Sequence, residues 1–89
     1  MKAVVTVTGK DRQGIIAKVS AFLAEKGANI EDISQTILGE YFAMIMMVDI
    51  SSAIEELATL AKECAELGKQ IGMAIYMQHE DIFNAMHNV

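Results

Sequence analysis

The chain predicts an α+β sandwich: strand–helix–strand–strand–helix–strand, forming a four-stranded antiparallel sheet with two helices on one face and a short helix at the C-terminal end. Three observations carry this. Ala3, Val5 and Val7 alternate with Val4, Thr6 and Thr8, a period of two in β-branched residues. Ile15, Val19, Phe22 and Leu23 recur at helical spacing between a glycine-bounded loop and Gly27. The same alternation between strand and helix periods then repeats in the second half, with no proline anywhere to interrupt it.

The elements follow in order. Lys2 to Thr8 reads as a strand with one fully apolar face. Asp11 is expected to cap the first helix, its carboxylate accepting from the free N–H groups of the next turn. Lys18 and Glu25 lie off the apolar stripe that includes Ile16 alongside, and Gly27 suits the left-handed position after a helix. Asn29 to Leu38 is a second strand. Ile33, Gln35 and Ile37 share one face and Asp32, Ser34, Thr36 and Leu38 the other; Ile30 falls out of phase, which calls for a bulge near Glu31-Asp32.

Gly39-Glu40 fits a two-residue hairpin turn with glycine first. Tyr41 to Ile50 is apolar on both faces apart from Asp49, so it belongs inside the sheet or under cover on both sides. Ser52-Ala53-Ile54-Glu55 has the spacing of a capping box, and Ile54, Leu57, Ala61, Cys64 and Leu67 continue as a helical stripe that Gly68 is expected to end. Ile71, Met73, Ile75 and Met77 then alternate with Gly72, Ala74, Tyr76 and Gln78 as a fourth strand. From Asp81, the residues Ile82, Phe83, Met86 and Val89 form one side of a short helix that needs a docking surface to be stable.

With right-handed crossovers, both main helices lie on one side of the sheet. The opposite side keeps Val4, Thr6, Thr8, Ala74, Tyr76, Gln78 and some of Phe42, Met44 or Met47; the pattern leaves open which set of the third strand points inward. The division expected is one domain over residues 1–89, with a core over 1–79 and a helical extension over 80–89. This is the ferredoxin-like arrangement.

Composition narrows the function classes. The 89 residues carry a net charge of −5, with the seven lysines and arginines scattered, which argues against nucleic acid and against a polybasic membrane anchor. Cys64 is the one cysteine, so neither an internal disulfide nor a thiolate zinc site is expected. The longest apolar run, Tyr41 to Val48, is too short to span a bilayer, and no signal peptide is visible; a soluble cytoplasmic protein is expected. The hydrophobic share of 53% is high for so small a domain, which points to an oligomer.

Among ferredoxin-like proteins, the heavy-metal chaperones need a Cys-x-x-Cys loop and iron–sulfur ferredoxins need four thiolates per cluster. RNA-binding versions need stacking aromatics and basic surroundings. An acylphosphatase-like phosphate cradle needs a different glycine spacing around Arg12. None matches. Met44, Met46, Met47, Met73 and Met77 read as packing residues rather than soft-metal ligands. His79, Glu80 and His87 lack ligand spacing, and Cys64 sits on an apolar stripe. No nucleophile–base–orienter set can be assembled by spacing, so no enzyme, metal or cofactor is expected.

Val5-Thr6-Val7-Thr8-Gly9-Lys10-Asp11-Arg12-Gln13-Gly14-Ile15-Ile16-Ala17-Lys18-Val19, followed by Leu23, Gly27, Asn29-Ile30 and Ile33, resembles the ACT domain, the regulatory module of many amino-acid-metabolic enzymes. Members usually carry Asp-x-Pro-Gly or Asp-x-x-Gly in the first loop and Gly-x-Asn-Ile at the start of the second strand. The chain is similar to free-standing ACT proteins and to half of the two-ACT repressors of glycine cleavage. The resemblance implies an effector such as an amino acid held between the first loop and the Asn-Ile segment, often at a subunit interface. It nominates Asp11, Gln13 and Gly14 in the loop, with Asn29 and Ile30 opposite. Gln13 stands where proline is common and leaves a free N–H; Gly9 stands where relatives can offer a polar side chain. The function expected is a homodimeric small-molecule regulator that acts on a partner enzyme; the competing reading is a ligand-free dimeric interaction module.

Overall fold

The computed structural model describes residues 1–10 and 13–87. Its elements are β1 (Lys2–Gly9), α1 (Ile15–Glu25), β2 (Asn29–Leu38), β3 (Tyr41–Asp49), α2 (Leu57–Ile71), β4 (Ala74–His79) and α3 (Glu80–His87). The four strands form one antiparallel sheet in the order β2-β3-β1-β4. This is the ferredoxin-like fold.

Register decides the faces that the sequence left open. Ala3, Val5 and Val7 stand opposite Val48, Met46 and Met44 on one side, and opposite His79, Met77 and Ile75 on the other. Phe42, Met44, Met46 and Val48 therefore point inward, into the core with Ile15, Val19 and Leu23 of α1 and Leu60 and Cys64 of α2. Tyr41, Ala43, Ile45 and Met47 point outward with Val4, Thr6 and Thr8. β3 sits between β2 and β1, which is why both of its faces are apolar. No polar or charged side chain is buried in the core among the described residues.

The expected bulge is present: Ile30 pairs with Val48 and Asp32 with Met47, leaving Glu31 as the extra residue. It returns Ile33 to the inner face, opposite Met46. Gly39, at φ 63°, makes the β2–β3 turn, and Gly27, at φ 79°, follows α1 in the left-handed region.

The cap expected at Asp11 lies outside the described residues. Gly14, at φ 74°, occupies the N-cap position, and a positive φ there cannot continue a helix, so α1 begins only at Ile15. The capping box at Ser52–Glu55 does not form. Glu55 instead pairs with Lys26 at 2.9 Å, the Ile54 N–H donates to the Lys26 carbonyl at 3.0 Å, and α2 begins at Leu57 behind Glu56. Ile54 is consequently exposed rather than part of the stripe, and Leu60 replaces it in the core.

Gly68 does not end α2. The helix runs on to Ile71 and stops at Gly72, φ 73°. Gly68 serves packing: a Cβ there would collide with the Met73 carbonyl oxygen and crowd the Ile75 nitrogen at 3.2 Å, so glycine lets α2 lie against β4. The fourth strand starts at Ala74, and Ile71 belongs to the helix. At the far end, α3 docks on the outer face against β1 and β4, and Val4 beneath is 1% exposed. Val89 lies outside the described residues.

Candidate functional site

β1 ends at Gly9, where a Cβ would meet the Met73 Sδ; the absence of a side chain lets Met73 close the core at this end. The chain then turns through Gln13 and Gly14 into α1. Both are exposed. Nothing lies within 4 Å of the place a Gly14 Cβ would take, so this glycine answers the backbone angle, not crowding between helix and strand. The Gly14 carbonyl accepts from the Lys18 N–H at 3.1 Å as the first helical bond. Gly14 has no side chain with which to cap α1, and the N–H groups of Ile15, Ile16 and Ala17 point from a helix start that favours negative charge. Gln13 is engaged in an interaction of its own. Asp11 lies outside the described residues.

The second half of the proposed pair, Asn29-Ile30, follows the end of α1. The Ala28 N–H donates to the Leu23 carbonyl at 2.9 Å, and Gly27 reverses the chain. Asn29 is exposed and pairs with Asp49; Ile30 is half-buried and packs on the core.

Within one chain, the structure does not bring these halves together. Asn29 pairs with Asp49, and Asp49 with Lys2, at the start of β1. Gly9, at the end of β1, pairs with Phe42, and Phe42 with Ile37. Seven strand steps separate Lys2 from Gly9, about 23 Å at roughly 3.3 Å per residue. The loop and Asn29 therefore occupy opposite ends of the sheet.

Sequence patterning did not show how bare β2 is. It is an edge strand ten residues long, and every residue from Glu31 to Leu38 is exposed. On its helix side, Ile33 and Ile37 are 38% and 52% exposed; on the outer face Leu38, beside Tyr41, is 77% exposed. A long unpaired apolar edge is a template for another strand. The signal was present as the apolar register of Ile33 and Ile37, but only the strand order reveals that they stand at the sheet edge, where α1 covers them incompletely.

Electrostatics hold the ends of the fold. Lys26 lies between Glu55 at 2.9 Å and Glu63 at 2.8 Å; hydrogen bonds to Glu63 and then Glu55 hold its ammonium well above the ordinary lysine range, and the Lys26 bond draws the Glu63 carboxyl down. The Ser51 hydroxyl, then the Ser51 N–H, lower the Asp49 carboxyl. Lys10 reaches Glu40 at 3.4 Å and stands 5.5 Å above the Tyr41 ring, bracing the hairpin beside the loop. Burial raises the Cys64 thiol to about 11, which makes it a packing group. His79 Nδ1 accepts from the Asp81 N–H at 3.0 Å. Among the described residues no three His, Cys, Asp or Glu side chains gather to hold a metal, and no helix is long and apolar enough to cross a membrane.

A glycine-bounded loop feeding the start of α1, a Gly-x-Asn-Ile turn into an edge strand, and the βαββαβ sheet together define a ferredoxin-like domain of the ACT type. The ACT domain family profile matches residues 2–78, and the chain belongs to that family. It is 53% identical over 88 residues to a UPF0237 protein of Methanocaldococcus jannaschii, covering 99% of this chain and 98% of that one. A solved ACT domain protein from Streptococcus pneumoniae is 45% identical, with a TM-score of 0.84 and 98% of each chain covered. A putative glycine cleavage system transcriptional repressor is 27% identical, with a TM-score of 0.72, over 86% of this chain and 44% of that one.

Proposed function

We propose that the protein is a regulatory homodimer of the cytoplasm that binds an amino acid or similar small zwitterion between the first loop of one protomer and Asn29-Ile30 of the other. One observation carries this reading: the two halves of the site sit at opposite ends of a sheet whose β2 edge is bare. Two copies joined along β2 about a two-fold axis run antiparallel. Each Asn29 then lies toward the partner's Leu38 end, where the partner's first loop also sits. Both halves meet twice, once at each end of the shared edge.

The chemistry suits a zwitterion. The N–H groups of Ile15, Ile16 and Ala17, at the start of α1, would take a carboxylate. Asp11, or the Asn29 amide across the interface, would take the ammonium. Gly14 leaves open space for a ligand to approach the backbone. Binding would favour the dimer over separate protomers and so report metabolite level to a partner enzyme or regulator. The role is regulatory rather than catalytic.

A thermal-shift screen over the amino acids, combined with light scattering, tests this. A specific ligand at about 100 times its dissociation constant adds about 2.7 kcal/mol of stability. Gly14→Leu should abolish that shift while the chain remains folded. A monomer at micromolar concentration, or a ligand shift that survives Gly14→Leu, refutes the reading. The competing reading, a ligand-free dimer that docks on a partner, draws on the outer face, where Tyr76 is 62% exposed and stands across Thr6 from Ile45. A flat response across amino acids, nucleotides and keto acids from a stable dimer would favour it.

A further inference from the structure

A second feature lies on the other side of the sheet from the helix start. Between α3 and the outer face is a cavity of about 170 Å³. Its walls are apolar: Val4, Ile45 and Met47 from the sheet, and Phe83 from α3. Its polar groups are Asp32 and Ser34 from β2 and Asn84 from α3. We propose that this cavity binds a small organic cation, a primary ammonium on a short apolar chain.

The bulge is what aims the charge here. Strand alternation from Ile30, which faces the core, would send Asp32 inward and Ile33 outward. The extra residue Glu31 reverses both, placing Asp32 opposite Met47 on the outer face. The Asp32 carboxylate accepts one bond, from the Ile33 N–H at 2.9 Å through Oδ1, and no cation pairs with it among the described residues. The nearby ammonium of Lys2 is engaged by Glu31 at 2.9 Å, and Asp49 and Glu80 also act on it. His79 Nδ1 accepts from the Asp81 N–H, with the Asp81 carboxylate 3.8 Å from that nitrogen. Carboxylates thus outnumber cations around the cavity, and Asp32 is the one that lines it.

The space suits a small ligand. An apolar cavity of about 150 Å³ accommodates a benzene-sized molecule, so roughly five or six heavy atoms fit within this open pocket. An ammonium would bond Asp32, with the Ser34 hydroxyl and the Asn84 carbonyl as further acceptors, while its chain lies against Ile45, Met47 and Phe83. This site shares no residue with the loop and Asn29-Ile30, and it stands whether or not they bind a zwitterion.

The experiment is a methyl NMR titration of protein labelled at isoleucine and methionine methyls, using n-butylammonium, with 1-butanol and butyrate as neutral and anionic probes. Butylammonium should shift the Ile45 and Met47 methyls saturably and bind about fivefold more tightly than butanol, the scale of a partly exposed ion pair; butyrate should be weakest. Asp32→Asn retains an acceptor for the Ile33 N–H and should bring butylammonium and butanol to equal affinity. Phe83→Ala should weaken both alike. The proposal is overturned if Asp32→Asn leaves the preference intact, if butyrate matches butylammonium, or if no shift saturates at tens of millimolar.

Discussion

Replacing Ile33 and Ile37 together by threonine should dissociate the protein without unfolding it. Both face the helix side of β2 yet are 38% and 52% exposed, together about nine-tenths of one isoleucine. Burying a whole isoleucine side chain contributes about 1.5–3 kcal/mol, so covering these two contributes roughly 1.4–2.7 kcal/mol per protomer. An interface with two-fold symmetry counts them twice, which gives about 3–5 kcal/mol. Threonine keeps the β-branch and its strand preference but gives up most of the apolar area. The dimer dissociation constant should therefore weaken by roughly 100-fold, since each 1.4 kcal/mol is a factor of ten. Sedimentation velocity across a concentration series measures this, and circular dichroism checks the fold. The reasoning fails if the double variant assembles as tightly as the parent protein. Both residues are also about half covered in the single chain, so the variant should lose some stability yet keep its secondary structure, and the reasoning fails equally if that structure is lost.

Further predictions concern the glycines and pH. Gly14→Ala should cost about 1–2 kcal/mol in chemical denaturation from its φ of 74° alone, with no clash, because the space around it is open. Gly68→Ala should cost at least as much for the opposite reason: its φ is ordinary, but the new methyl meets the backbone of Met73, which cannot swing aside. A near-neutral result for Gly68→Ala would show that α2 slides freely on β4. On the acid side, the lowered carboxyls of Glu63 and Asp49 contribute stability that is present above their ordinary values of 4.5 and 3.8 and is lost as pH falls through their folded values. On the alkaline side, Lys26 contributes stability that is complete below 10.5 and lost as pH rises through its higher folded value. Lys26→Met should flatten the Glu63 part of the acid limb in urea titrations, leaving the Asp49 part.

What the sequence showed and what it hid divide along the range of the forces involved. The period-two pattern of β1, the α1 stripe, the hairpin at Gly39 and the bulge at Glu31 depend on residues a few positions apart, and all read correctly. The misread boundaries have distant causes. Glu55 was expected to reach back to a local cap, but Lys26, 29 residues away, holds it. Gly68 resembled a helix stop because glycine often is one; its reason is the approach of β4. The inward set of β3 was undecidable because both alternating sets are apolar, and only register with Val5 and Val7 separates them. For the candidate site, Gly14 and Asn29 were each recognisable from motif spacing. Their separation by the length of the sheet was not, since it follows from β3 lying between β1 and β2.

The strand order also governs when the molecule can become whole. β1, the first of these four strands in the chain, has β3 and β4 as its neighbours, and the second of these ends only at His79. The one strand pairing that closes locally is the hairpin of β2 and β3 around Gly39. During synthesis, the apolar row of Ala3, Val5 and Val7 must wait for more than sixty further residues before both flanks are paired, because sequence-distant contacts form late. The N-terminal strand is thus the first to need protection and the last to be fully enclosed. A chain cut before β4 would lose one flank of its central strand and leave Val5 beside an open edge, a state prone to join other copies in an uncontrolled way.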